Sequence, residues 1–267
     1  MITIKTDTHT HSLCSNHAYS TIEENMRNAA QMGMEAVGIT DHFSGLFYGN
    51  TDFSHYSHMG NYKALPQEWY GVRLLRGAEA DIVDLDGRLF GHDLWLPFAF
   101  PGQEKATYEQ ECLGRLDYVI ASVHDRSFAN DASLTETTQM YCKALQHPKV
   151  LIIGHIGRAG VPFDMDEVLL TAKSLNKMIE INESSLEYPE PITKLCRQVA
   201  VRCAELGVKI AVGSDAHSAW YVGRLGKAQS MLEELHFPEE LIGNLDGAAL
   251  EAMLTASKVR EANIPCL

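Results

Sequence analysis

Seven short strand-like runs, parted by amphipathic stretches of helical spacing, restrict this chain to few folds. They occupy residues 2–6, 35–40, 72–83, 116–124, 149–157, 177–184 and 208–217. Strands alternating with helices demand a parallel sheet with right-handed crossovers. Alternation alone does not separate an open sheet from a closed barrel; the polar residues do. In an open sheet, ligand-binding groups collect at a switch point between a few strands. In a barrel every strand end faces one mouth. Six of the seven runs end in residues of ligand type, His, Asp or Glu, so the expected fold is α/β: a TIM-like barrel of seven strands, in a single domain over residues 1–267.

Local signals place the helices. Ser20 and Glu23 form a capping-box pattern ahead of TIEENMRNAAQMG, with Gly33 at its C-terminal end. Ser133 with Glu136 and Asp164 with Glu167 open two further helices, and Gly207 closes the run that starts at residue 191. Two last helices are expected near residues 224–235 and 248–257. Residues 43–70, rich in Gly, Asn, Ser, Tyr and His, read as a long loop that could cover a pocket. Asp86-Gly87 signals a hairpin turn, and the PFAFPG run inside the 88–114 insertion is not expected to be helical.

The strand ends carry the chemistry. Residues 7–17 read DTHTHSLCSNH, and in extended backbone His9 and His11 project to the same side. His17 follows in the next loop. Downstream ends deliver His42, Glu79, His124, His155, Asp215 and His217, while Glu180, Asn182 and Glu183 sit near the end of the sixth run. One metal ion with an open position takes three or four protein ligands, so these nine candidates suit two or three ions. Imidazole and carboxylate without thiolate fit zinc, manganese or iron. Strand-end histidines could instead bond to loop backbone, but seven of the twelve histidines falling at one edge disfavours that. His55 and His58 read as surface or substrate contacts, and His92 has no partner at ligand spacing.

Composition narrows the partners. The formal net charge of −13 disfavours nucleic acid, which needs Lys/Arg stripes. Three divalent ions would bring the total to about −7 and concentrate positive potential in one cleft, so an anionic substrate stays compatible. Met1 leads straight into a strand-like segment and no long apolar run follows, so no signal peptide or membrane span is expected, and the expected compartment is the cytoplasm. The scattered cysteines Cys14, Cys112, Cys142, Cys196, Cys203 and Cys266 read as reduced thiols, Cys196 and Cys203 as small hydrophobes on a helix.

THTHS with NHAYS, ITDH, GAEADI with its DLDG turn, ASVH, IGHIGR and GSDAH together resemble the PHP (polymerase and histidinol phosphatase) family, especially its small stand-alone phosphoesterases. The motifs span residues 7–217. The resemblance implies a distorted (β/α)7 barrel, a single PHP-type metal-dependent hydrolase domain, with a trinuclear site. It assigns His9, His11, Glu79 and Asp215 to a first metal, Glu79, His124 and His155 to a second, and His17, His42 and His217 to a third. Glu79, His124 and Asp215 would then be central to catalysis. A water bridging two ions would lose its proton near neutral pH and attack a small phosphomonoester such as histidinol phosphate, a sugar phosphate or a nucleotide. Arg158 is the first candidate for gripping phosphate, ahead of Arg126 and Arg224. Asp41 could accept from an imidazole or cap a loop. Two competitors are weighed. Amidohydrolase-type C–N hydrolysis often uses a carboxylated Lys on strand four, where this chain has none. A non-catalytic regulatory or assembly module would be expected to have lost ligands.

Overall fold

The chain is described from a computed structural model over residues 1–49, 51–99 and 104–264. Nine strands form one sheet: β1 (Thr6–Thr10), β2 (Ala36–Ile39), β3 (His42–Phe43), β4 (Glu68–Trp69), β5 (Val72–Asp81), β6 (Tyr118–Ser122), β7 (Val150–Ile153), β8 (Met178–Asn182) and β9 (Ile210–Gly213). Seven of them, in the order β1-β2-β5-β6-β7-β8-β9, run parallel, while β3 and β4 pair with β5 at its sides. The helices are α1 (Ile22–Gln31), α2 (Ser57–Gly60), α3 (Tyr108–Leu113), α4 (Leu134–Gln146), α5 (Met165–Ser174), α6 (Ile192–Leu206), α7 (Gly226–Glu234) and α8 (Gly247–Ala256). This is the distorted TIM-like barrel expected, and none of these helices is long and apolar enough to cross a membrane.

The distortion sits at the seam between β1 and β9. A bridge at Thr10–Ala216, two backbone bonds, His11 N–H to the Ala216 carbonyl and Asp215 N–H to that of His9 (2.8 Å each), and the Ser214 hydroxyl on the His9 carbonyl (3.3 Å) join the upper ends. Lower down, side chains replace the ladder. Asn244 accepts from Val212 N–H (2.7 Å) and donates to the Val212 and Thr6 carbonyls (2.8 and 3.2 Å). The Asp7 carboxylate takes the N–H groups of Ser214 and Gly223 (2.9 Å each). Buried backbone groups need partners, and here an amide and a carboxylate stand in for the missing strand pairing. Inside the barrel Tyr118 crosses beside β2 to donate to the Thr8 carbonyl at 2.6 Å. A Cβ at Gly38 would lie 1.8 Å from the Tyr118 hydroxyl, so only glycine fits there.

Two boundaries move from their expected places. The alternation at residues 2–6 does reflect burial of Ile2 and Ile4, but their N–H groups bond to Glu233 and Gln229 side chains of α7. Strand pairing begins only at Thr6. The α1 capping box is Thr21 with Glu24 rather than Ser20 with Glu23, because the Ser20 hydroxyl is taken by the N–H of Ala219. The Ser133–Glu136 box and the Asp164 cap open their helices, and the left-handed Gly207 closes α6, as expected. Val83 N–H bonds to Arg88 O at 2.9 Å across the Asp86-Gly87 hairpin.

The 43–70 segment is less loose than its composition suggests. Tyr56, Met59 and Tyr62 drop into the core, leaving the residues just after Phe43 beside the barrel mouth. Asn50, the Phe100–Gly102 part of PFAFPG, and Cys266 lie outside the described residues. The other five cysteines are free thiols; burial pushes those of Cys196 and Cys203 up to about 11 and about 12.

Candidate metal centre

Every ligand candidate from the strand ends lies at the C-terminal edge of the barrel. His9 is within β1 and His11 just beyond it; His42 opens β3, whose register sets it opposite Glu79 of β5. His124, His155, Asp215 and His217 follow β6, β7 and β9 by a few residues. Glu79 is the hub, 1% exposed. Its Oε2 lies 3.3, 3.5 and 3.0 Å from nitrogens of His9, His11 and His42. Its Oε1 lies 3.4 and 2.8 Å from Nε2 of His124 and His155, and also accepts from the Ser122 hydroxyl at 2.7 Å. Asp215 Oδ1 stands 3.6 and 3.3 Å from Nε2 of His9 and His11. His17 is peripheral and exposed, its ring 4.5 Å from that of His217 and 5.0 Å from that of His42.

The outer nitrogen of four rings is tied back. His9 Nδ1 faces Glu180 Oε1 at 2.7 Å, His11 Nδ1 the Ser15 hydroxyl at 3.0 Å, His124 Nδ1 Asp81 Oδ1 at 2.6 Å, and His217 Nδ1 the Asp215 carbonyl at 3.0 Å. Each acceptor places the neutral ring's proton on Nδ1 and leaves Nε2 as an inward lone pair. Ser15 can accept from His11 because it donates to Asp41 at 2.7 Å. Asp41 itself takes Ser12 N–H and hydroxyl (2.7 Å each) and Tyr62 OH (3.0 Å). It caps the His-rich loop and reaches the His11 imidazole through Ser15.

Electrostatics divides the rings. Burial works against charge on His9, but Glu180, Glu79 and Asp215 outweigh it and hold the ring well above its usual range. His124 likewise rises to about 10, burial being overcome by Glu79 and Asp81. Burial and neighbouring imidazoles push His11 down to about 3 and His17 to about 4. Glu79 and Asp215, despite burial, stay well below the usual carboxylate range because cationic rings face them.

Whether these residues suit metal ions can be judged from their unsatisfied atoms. His9 Nε2, His11 Nε2, both nitrogens of His42, Glu79 Oε2 and His217 Nε2 are buried with no hydrogen-bond partner. Buried polar atoms are normally paired, and inward lone pairs in groups of three match what a cation requires. Three such groups occur here: His9, His11 and Asp215; His11, His42 and His217; and His42, Glu79 and His124, with the ligand atoms of each within 4.8 Å of one another. The donor set fits zinc, manganese or iron. A fourth group, Cys14, Asp41 and His58, has its carboxylate already saturated by the donors named above. His55 stacks on Tyr48 at 4.9 Å, and His92 bonds to the Leu89 carbonyl.

The three arginines separate. Arg158 Nη2 holds Asp215 Oδ2 at 2.7 Å, with its guanidinium over the Tyr188 ring. Arg224 stacks on Trp220 and, with Tyr221, lines a cleft of about 460 Å³ that opens onto Asp215 and His217. Arg126 bonds instead to the Gly160 carbonyl. The Phe47 ring lies 4.1 Å from that of His42 and 5.0 Å from those of His17 and His124. Sequence reasoning passed over Ser15, Phe47, Asp81 and the role of Glu180. Asp81 does share the strand-end position that marked the others, whereas Glu180 lies mid-strand in β8.

A nearly closed parallel barrel with histidines and carboxylates gathered at its C-terminal mouth defines a protein class able to hold clustered metal ions. A model of the PHP domain matches residues 7–190, and the chain belongs to the PHP domain family. It is 39% identical over 239 residues to a probable phosphatase of Caldanaerobacter subterraneus subsp. tengcongensis, covering 89% of this chain and 86% of that one. It is 35% identical over 259 residues to a probable phosphatase of Clostridium botulinum, covering 97% and 98%. The histidinol phosphate phosphatase of Lactococcus lactis, solved with Zn, L-histidinol and phosphate, shares the fold with a TM-score of 0.56 at 19% identity, over 88% of this chain and 94% of that one.

Proposed function

We propose that the chain is a metal-dependent phosphomonoesterase acting on a small soluble phosphate ester, with two or three divalent ions of zinc, manganese or iron. One observation carries the reading: a single buried carboxylate, Glu79, approached within 3.5 Å by nitrogens of five histidines from five loops and strands. No structural role needs so many desolvated donors around one acid. His9, His11, His17, His42, Glu79, His124, His155, Asp215 and His217 would hold the ions, with Glu79 shared between two of them. When bound, the ions supply Lewis acidity, lowering the pKa of water and neutralising phosphoryl charge.

The chain's own residues then do four things. Ser15, Asp81 and Glu180 hold imidazole protons outward on His11, His124 and His9, keeping Nε2 available. Arg158 occupies Asp215 Oδ2 and so orients Oδ1 toward the cluster. Phe47 shields one side of the rings from water. The cleft lined by Arg224 and Tyr221 is the space next to the cluster for the leaving group. Histidinol phosphate, sugar phosphates and nucleotides all present a monoester within that class. The relatives named as probable phosphatases support the reaction type.

Metal analysis of the purified protein should find two or three equivalents of transition metal. Phosphate release from a panel of those esters should vanish on chelation and return with added Mn²⁺ or Zn²⁺. Protein that takes up no metal, or shows no metal-dependent phosphate release from any ester, would overturn the proposal.

A further inference from the structure

We propose that Glu180 is a positioning residue that couples the part of the centre containing His9 to the part containing His155, fixing the ring tautomer of one and the main chain of the other. This rests on the metal-dependent reading above. Glu180 sits near the centre of β8, 3% exposed, and its two oxygens do different jobs. Oε1 is 2.7 Å from His9 Nδ1, at the opposite side of the ring from Glu79 and Asp215. Oε2 accepts the His155 N–H at 2.7 Å. Asn182 Nδ2 then links the same Oε2 (3.2 Å) to Asp215 Oδ2 (3.3 Å). One carboxylate thus joins residues contributed by β1 and by the loop after β7.

Two backbone features are built around it. His155 has φ +23°, outside the regions where side-chain-bearing residues are comfortable, and its N–H ends on Glu180. At Gly213 a Cβ would lie 2.6 Å from Glu180 Oε1 and 2.5 Å from His9 Cβ. Any other residue there would drive the carboxylate off the ring.

The chemistry predicts an unusual response to the isosteric change Glu180→Gln. Every neighbour of the carboxylate is a donor: the His155 N–H and the Asn182 amide on Oε2 and, in a metal-binding ring, Nδ1–H on Oε1. A glutamine has one acceptor oxygen and one NH₂. The main chain cannot reverse its polarity, so the oxygen faces His155 and the NH₂ faces His9. Nδ1 must then accept, the proton moves to Nε2, and the lone pair directed at the cluster is lost. Glu180→Ala removes the conflict and leaves room for water to accept from either donor.

The test titrates chelator-stripped wild type, E180Q and E180A with Zn²⁺ alone, reading stoichiometry and affinity by chelator competition. Imidazole ¹H–¹⁵N correlation spectra, taken at a pH where the ring is neutral, report the His9 tautomer, and melting in chelator reports the fold. E180Q is expected to lose one zinc equivalent or at least about 10-fold in affinity, to show an Nε2–H ring, and to bind zinc no better than E180A. A merely structural role predicts the reverse order, with the smaller side chain worse. Zinc binding by E180Q within twofold of wild type would overturn the inference. If wild type itself takes no zinc, it is the functional proposal that fails. Should E180Q not fold, Glu180→Asp is measured: one shortened carboxylate cannot reach both donors, so a loss of at least about 10-fold is again expected, and wild-type affinity is the overturning result.

Discussion

The two ends of the barrel bury polar side chains in opposite ways. At the N-terminal floor, Lys149 reaches the Leu116 carbonyl at 3.0 Å, Lys177 the Val150 carbonyl, and Asn244 three backbone groups of β1 and β9. Each polar tip there ends on the main chain of this same chain. At the C-terminal mouth the outer nitrogens of His9, His11, His124 and His217 are paired in the same careful manner, yet the inner ones of His9, His11 and His217 and both of His42 meet no partner. An unpaired buried polar atom costs roughly 1–3 kcal/mol. Single unpaired atoms are buried elsewhere too, as at Trp69 Nε1 and His147 Nε2, but at the mouth several converge on one another, where a ligand can recover the stability they cost. Burial of polar residues therefore says little by itself; the direction of the unsatisfied atoms separates a structural end from a functional one.

The hardest blow to that contrast is Glu79→Gln. The shape is kept, but the negative hub and one of its two acceptor oxygens are removed. Metal content should fall by at least one equivalent, and phosphate release by about 10³-fold or more, while circular dichroism still reports the barrel. A variant retaining full metal and turnover would show that the mouth's open atoms serve something else.

At the floor the expected loss is of stability rather than function. Asn244→Ala strips partners from Val212 N–H and from the Val212 and Thr6 carbonyls, all buried at the seam. Urea unfolding of the chelated protein should show a loss of about 3 kcal/mol. Zinc stoichiometry and kcat, measured where the variant is folded, should match wild type. Unchanged stability, or a selective loss of metal, would erase the distinction between the two ends.

Much of the mouth could be read from the sequence because strand ends are a local property. A run such as ASVH announces both its strand and the residue that leaves it, and a barrel sends all such residues to one rim. The caps at Ser133, Asp164 and Gly207 were legible for the same reason. What closes the seam was not. Asn244 lies 32 residues from Val212 and 238 from Thr6, and no periodicity links them. Polar β1, TDTHT, escaped the apolar pattern because all five of its residues are buried around the seam and the site. Arg158, Arg126 and Arg224 look alike in sequence; only the fold places the first on Asp215, the second on a loop carbonyl and the third along the cleft.

Protons and metal ions compete for the same rings, which gives the smallest and most discriminating effect. In metal-free protein His124 is pushed up to about 10, and His9 is raised too. A histidine whose folded value exceeds its unfolded value of about 6.5 adds stability fully below that pH and loses it as pH climbs through the folded value. Chelated protein should therefore melt lower as pH rises from 6.5 toward 10. Lys177 at the floor works the other way: burial lowers it to about 8, and stability returns as it deprotonates. That term is the same with or without metal and cancels in a difference. In the zinc-loaded protein these rings are held neutral, so the gap between loaded and chelated melting temperatures should widen with pH, measured between 6.5 and 9, by several degrees. In His124→Gln the widening should shrink, since the ring that gives up its proton is gone. A gap that stays flat in wild type would mean that the rings at the mouth are not where protons and metal exchange, and the floor and the mouth would then differ in packing alone.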